Sequence, residues 1–113
     1  ILGVPFYARL WREDTDESGA FQLSSRALGM DGVKKELEDN LVTPVLDEQA
    51  GQYYAEYEKE EGLYKVWLED ESSMRQRVKL ARRYNLAGIS GWKLGLESPE
   101  IWKVISEEIN KPE

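Results

Sequence analysis

The residues able to do chemistry in this chain are aromatics and one cation at the ends of two apolar runs. Trp92 closes Ala87-Gly88-Ile89-Ser90-Gly91, and Tyr7, Arg9 and Trp11 follow Ile1-Leu2-Gly3-Val4-Pro5-Phe6. Flat indole and phenol rings can stack on the apolar CH faces of a sugar. A guanidinium can donate several fixed hydrogen bonds to hydroxyls or hold a carboxylate. Each residue also has an ordinary reading: Trp92 as a core tryptophan, Arg9 as a surface cation, Tyr7 and Trp11 as packing groups. The chain has no His and no Cys. That excludes within it a disulfide framework, a zinc–thiolate centre and His or Cys catalysis. Asp14, Asp16, Ser18 and Gly19 echo the start of a calcium loop, but a twelve-residue loop needs a glutamate where Ser25 stands. No metal and no cofactor is expected.

The elements that must position these groups follow from periodicity. Residues 1–8 and 86–92 are continuously apolar, as strands buried on both faces are. Residues 12–20 read as a polar loop. A helix is expected over 24–40, with Met30, Val33, Leu37 and Leu41 on its apolar face, Asp31 as N-cap and Asn40 as its stop. A short strand over 43–48 precedes a hairpin of 51–57 and 62–68. Its turn, ending at Gly62, carries the charge run Glu56–Glu61 as a solvated tip. A second helix over 72–84 would bury Met74, Val78, Ala81 and Tyr84. Asp70 and Glu71 at its start and Arg82 and Arg83 at its end suit its dipole. Ser98-Pro99-Glu100 starts a third helix, with Ser98 as N-cap and Pro99 at the first position. Ile101, Trp102, Ile105 and Ile109 line that helix, Trp102 as core. Tyr53, Tyr57, Tyr64 and Trp67 are expected inside the hairpin module.

At 113 residues one compact domain is the prior. A net charge of −7 speaks against a polyanionic partner such as nucleic acid. No apolar run approaches the roughly 20 residues that cross a bilayer, so no membrane partner is expected. The chain shows no signal peptide and opens on an apolar strand without Met, so it reads as a piece of a longer protein.

With these motifs in order, the chain resembles the C-terminal part of family-18 glycoside hydrolases, the chitinase-like (β/α)8 barrels. Gly3-Val4-Pro5-Phe6-Tyr7-Ala8-Arg9 is similar to the seventh barrel strand, and Gly91-Trp92-Lys93-Leu94-Gly95 to the eighth strand with its Trp. Residues of about 20–69 resemble the insertion domain between those strands, through Leu46–Tyr54 and Val66-Trp67-Leu68-Glu69-Asp70. The likeness is nearest to bacterial members acting on spore cortex and cell wall. It implies an α+β fold: a small insertion domain of a helix and an antiparallel sheet, flanked by two strands and two helices of an incomplete barrel. The implied division is 1–11 (strand seven), 12–69 (insertion domain) and 70–113 (helix, strand eight, closing helix).

The resemblance implies an N-acetylglucosamine-containing polysaccharide as partner, an extracytoplasmic parent, and retaining, substrate-assisted hydrolysis. It places Trp92, Arg9, Tyr7, Tyr54 and Trp11 along the glycan cleft. The family's acid motif, Asp-x-x-Asp-x-Asp-x-Glu, and its Met-x-Tyr are absent from these residues. No catalytic residue is therefore expected in this chain, and the isolated chain is expected to be inactive and to self-associate through exposed barrel strands. The alternative is a lectin-like barrel module that binds glycan without cleaving it. A third possibility is an interaction module whose aromatics are core only.

Overall fold

A computed structural model describes residues 1–112; Glu113, the end of the expected tail, lies outside the described residues. In chain order the elements are β1 (Leu2–Pro5), β2 (Tyr7–Thr15), β3 (Phe21–Gly29), α1 (Met30–Asp39), β4 (Val45–Asp47), β5 (Gln52–Lys59), β6 (Gly62–Trp67), α2 (Glu71–Arg83), β7 (Ile89–Trp92) and α3 (Glu100–Ile109). The architecture is mixed α+β, as the resemblance implied.

The two apolar runs find each other. β1 and β7 pair in parallel, Leu2 opposite Ile89 and Pro5 opposite Trp92. One face of this pair is covered by α2 and α3 around Val4, Phe6, Met74, Val78, Ile101, Val104 and Ile105. Phe6 is fully buried, and burying such a side chain contributes about 1.5–3 kcal/mol. Its ring lies where a side chain on residue 91 would be, so Gly91 is required there.

The remaining strands form one antiparallel sheet in the order β3-β2-β6-β5-β4. α1 covers one face of it, packing Val33 and Leu37 against Ala8, Leu10, Ala55, Tyr57, Val66 and Leu68. Tyr57 and Tyr64 stack on that face with ring centroids 5.2 Å apart, and the Tyr57 hydroxyl donates to Glu36 Oε1 at 2.7 Å. The two cores lie along a body of 56 × 26 × 25 Å.

Several expectations are corrected. The polar loop over 12–20 shrinks to a turn at Asp16, because β2 continues to Thr15 by pairing with β3 on one side and β6 on the other. The Asp16 carboxylate accepts from the backbone N–H groups of Ser18 and Ala20, so these acids close a hairpin. The helix expected from Ser24 starts at Met30, because residues 21–29 pair with β2 throughout. Its N-cap is Gly29, without a side-chain cap, rather than Asp31; the Met30 N–H donates instead to the Leu96 carbonyl at 2.8 Å. Asn40 does end the helix, and Leu41 turns outward at φ 55°. Tyr84 caps α2 in an exposed position outside the buried stripe. β7 starts at Ile89, three residues later than expected. Ser98 is buried in a turn that precedes α3, and Pro99 is the cap residue. Trp102 is 48% exposed: its ring meets Phe6 in a T-shaped contact, and its indole N–H donates to Glu97 Oε2 at 3.0 Å.

Candidate functional site

The site is built from the sheet face that α1 leaves open. Strand residues alternate between faces, so the inward set Ala8, Leu10, Val66 and Leu68 fixes the outward set as Tyr7, Arg9, Trp11, Lys65 and Trp67. The pairing of Tyr54 with Trp67 adds Tyr54 to it. A shallow depression of about 270 Å³ on this side is lined by Pro5, Tyr7, Arg9, Trp11, Trp67 and Glu69. Three of the five residues singled out from sequence thus share one concavity.

Tyr7 and Trp11 are half-buried and Arg9 is exposed. Arg9 Nε donates to Ser25 Oγ at 3.0 Å, which fixes the guanidinium stem and leaves other donors free. Tyr54 lies beyond the depression but extends its aromatic surface. Its ring is tilted 46° against Trp67, with centroids 4.7 Å apart. Burial, and then the adjacent Glu56 carboxylate that accepts its hydroxyl at 2.9 Å, push the Tyr54 phenol up to about 12.

Trp92 lies at the C-terminal end of the parallel pair and is not part of that depression. It is 68% exposed, which removes the core reading. Its carbonyl accepts from the Phe6 N–H at 2.8 Å, at the bend where β1 passes into β2. Trp92 therefore sits beside the start of the strand that carries Tyr7, Arg9 and Trp11.

Two residues of the site were not foreseen. Trp67, expected inside the module, is 38% exposed and lines the depression together with Trp11, from the neighbouring strand. Its indole N–H donates to Asp47 Oδ2 at 3.0 Å, and that bond is the main cause holding the Asp47 carboxyl below the usual range. The alternation of Tyr57, Tyr64 and Val66 against Trp67 was the available signal: Trp67 falls in the opposite phase to Val66. Glu69 is only 7% exposed and accepts from Arg77 Nε (3.1 Å), the Arg77 terminal nitrogen, Ser73 Oγ (2.8 Å) and Gln52 Nε2 (3.2 Å). Nothing in the spacing of the sequence marked it out.

Among the described residues no cluster of acids could hold a metal ion. No helix among them is long and apolar enough to cross a membrane. Around the depression the open face offers a row of rings with the Arg9 guanidinium beside them.

Comparison with known proteins finds the same architecture in enzymes. The C-terminal domain of a putative chitinase from Desulfitobacterium hafniense DCB-2 superposes with a TM-score of 0.82 at 20% identity, over 97% of this chain and 35% of that one. The spore cortex-lytic enzyme SleL of Bacillus megaterium QM B1551 gives 0.81 at 24%, over 97% and 25%. In sequence, a cortical fragment-lytic enzyme of Bacillus subtilis (strain 168) is 43% identical over 47 residues, 42% of this chain and 11% of that protein. The uncharacterized glycosylase YvbX of the same organism is 27% identical over 106 residues, 93% of this chain and 29% of that one. The chain thus spans well under half the length of these relatives. The sequence pattern of the glycosyl hydrolases family 18 matches residues 1–97, from β1 through the open-faced sheet to the loop after Trp92, and the chain belongs to that family.

Proposed function

We propose that this chain is the C-terminal part of a glycosidase that hydrolyses β-linked N-acetylglucosamine polymers, peptidoglycan or chitin. The single observation that carries the reading is the one-sided sheet: α1 covers one face, while Tyr7, Arg9, Trp11, Trp67 and Tyr54 line the other beside an exposed Trp92. A polysaccharide has flat CH faces for the rings and hydroxyls for the guanidinium. In this reading residues 1–11 and 70–113 belong to the barrel and 12–69 to the inserted module, with β2 running from one into the other.

The reaction we assign is retaining and substrate-assisted. The substrate's acetamido oxygen attacks the anomeric carbon, and a glutamic acid protonates the leaving oxygen. That acid is not among these residues, which lack the Asp-x-x-Asp-x-Asp-x-Glu pattern. The residues here bind and orient the sugar chain, and their rings exclude water from one side of it. Relatives named for cortex lysis, and a chitinase titled as expressed on the bacterial cell surface, support an extracytoplasmic place of action.

The test is hydrolysis of chitotetraose and of purified cortex peptidoglycan by the intact parent protein and by the isolated chain. New reducing ends from the parent, first formed as the β-anomer, and none from the chain are the expected result. Saturable binding by the parent without cleavage would favour the lectin-like alternative. Neither binding nor cleavage would overturn the glycan reading altogether.

A further inference from the structure

We infer that Glu69, clamped by Arg77, is a positioning residue for the aromatic wall formed by Trp67 and Trp11. It is one of four buried polar residues among those described, and the only one lining the depression of Tyr7, Arg9, Trp11 and Trp67. Both carboxylate oxygens are saturated. Oε1 accepts from Arg77 and from Gln52 Nε2 at 3.2 Å; Oε2 accepts from Arg77 Nε at 3.1 Å and Ser73 Oγ at 2.8 Å. A carboxylate held by four donors has no lone pair to spare for moving a proton, so Glu69 is not the missing acid.

Its position gives it a different task. Glu69 follows β6 by two residues and shares the phase of Trp67. Gln52 begins β5, and its side chain also donates to the Leu68 carbonyl at 2.9 Å. Ser73 and Arg77 both lie on α2, whose other side packs against β1 and α3. The carboxylate therefore ties the end of the inserted sheet to the helix under the parallel pair. Trp67 and Trp11 stand on one side of that tie, on paired strands of the sheet, and Pro5 of β1 stands on the other. An error in the angle between the two units would open or close the depression by moving the wall of Trp67 and Trp11, which share one sheet, relative to Pro5 on β1 and to Trp92. A bidentate guanidinium–carboxylate fork resists such rotation better than a single hydrogen bond.

The experiment labels the intact protein with 5-fluorotryptophan and assigns the Trp11, Trp67, Trp92 and Trp102 fluorine resonances by single Trp→Phe replacements. Glu69→Gln is compared with Arg75→Ala, which breaks the ion pairs of α2 with Glu107 and Glu108 away from the depression. Both variants should lower Tm. Only Glu69→Gln should shift or broaden Trp67 and Trp11, while leaving Trp102 in place. Loss of Tm with all four resonances unmoved would overturn the inference, since a merely structural residue would give that result. The glycan arm rests on the proposed function: chitotetraose should bind Glu69→Gln about tenfold more weakly and Arg75→Ala as wild type. A wild-type protein that ignores chitotetraose would count against the proposed function alone; the fluorine arm still decides the role of Glu69.

Discussion

At the scale of single residues, the candidate site makes sharp demands on Trp92 and Tyr54. Trp92 carries a large exposed ring at no evident benefit to folding, so Trp92→Ala should leave Tm within about 1 °C while weakening chitotetraose binding by the parent. The cost should be about 2 kcal/mol, roughly thirtyfold, as for a central aromatic anchor. Isothermal titration measures it, and unchanged affinity would remove Trp92 from the site. Tyr54 makes a separate prediction. Its phenol titrates near 12, above its ordinary value near 10, because burial and Glu56 favour the neutral form. A raised folded value means that the contribution to stability is intact below about pH 10 and is lost as pH climbs toward 12. Tyr57, buried and donating to Glu36, is raised too. Phenolate absorbance should therefore show a late phase to which Tyr54 and Tyr57 contribute, and Tyr54→Phe should diminish it. Much of this site was legible because its residues cluster in sequence: Tyr7, Arg9 and Trp11 alternate on one strand, and Trp92 ends another. Trp67 was not, because a tryptophan in an apolar strand reads as core until the partner strand fixes which phase faces α1. Glu69 was hidden because a saturated buried carboxylate and an exposed one look alike in sequence.

At the scale of elements, stability rests on three local devices that can each be broken. Gly91 faces the Phe6 ring, so Gly91→Ala forces β7 away from β1 and should cost about 1–3 kcal/mol, the usual range for overpacking. Asp70 caps α2, accepting from the Ser73 N–H at 3.0 Å while Ser73 Oγ accepts from the Asp70 N–H at 2.9 Å. Removing that capping box in Asp70→Ala should cost about 1 kcal/mol by chemical denaturation. Glu108, 1% exposed on α3, holds Lys111 at 2.7 Å and Arg75 at 3.4 Å. The Lys111 ammonium, ahead of the other cations, keeps its carboxyl below the usual value despite burial. A depressed carboxyl stabilises the fold above its unfolded pKa, near 4.3, and loses that contribution as pH falls through the folded value. Thermal scans below about pH 4 should show Glu108→Gln losing less on acidification than wild type; parallel curves would sink the linkage. α2 was readable because apolar spacing marks it and came within one residue of expectation, whereas the first six residues expected of α1 belong to β3. The β2–β3 hairpin was not, because Arg12 to Asp14 and Ser24 to Arg26 are too polar to announce strands. They are held by pairing with each other and, for β2, with β6, which only the folded chain brings alongside.

At the scale of the whole molecule, one half closes a core of its own and the other leaves one face of its sheet uncovered among the described residues. The antiparallel sheet and α1 close a core of their own. β1 and β7 form only a two-stranded parallel sheet, a pairing that normally occurs buried on both faces. α2 and α3 cover one face; on the other, small residues Gly3 and Ser90 lie exposed, next to Ile1, Trp92 and Leu94. Each strand also has an outer edge with no partner among the described residues. An isolated pair of this kind is marginal in water, and open apolar edges recruit other strands. The 113-residue chain by itself should therefore self-associate through β1 and β7, while the inserted sheet stays folded. Sedimentation velocity should show weight-average mass rising with concentration over the micromolar range. Hydrogen exchange should protect β5 and β6 at every concentration, and β1 and β7 only where the chain is associated. A charge on the open side, Ser90→Lys, should return the chain to a monomer without lowering protection in β5 and β6. A clean monomer in which β1 and β7 are as well protected as β5 would mean that two strands and two helices suffice as a unit, and self-association would be withdrawn.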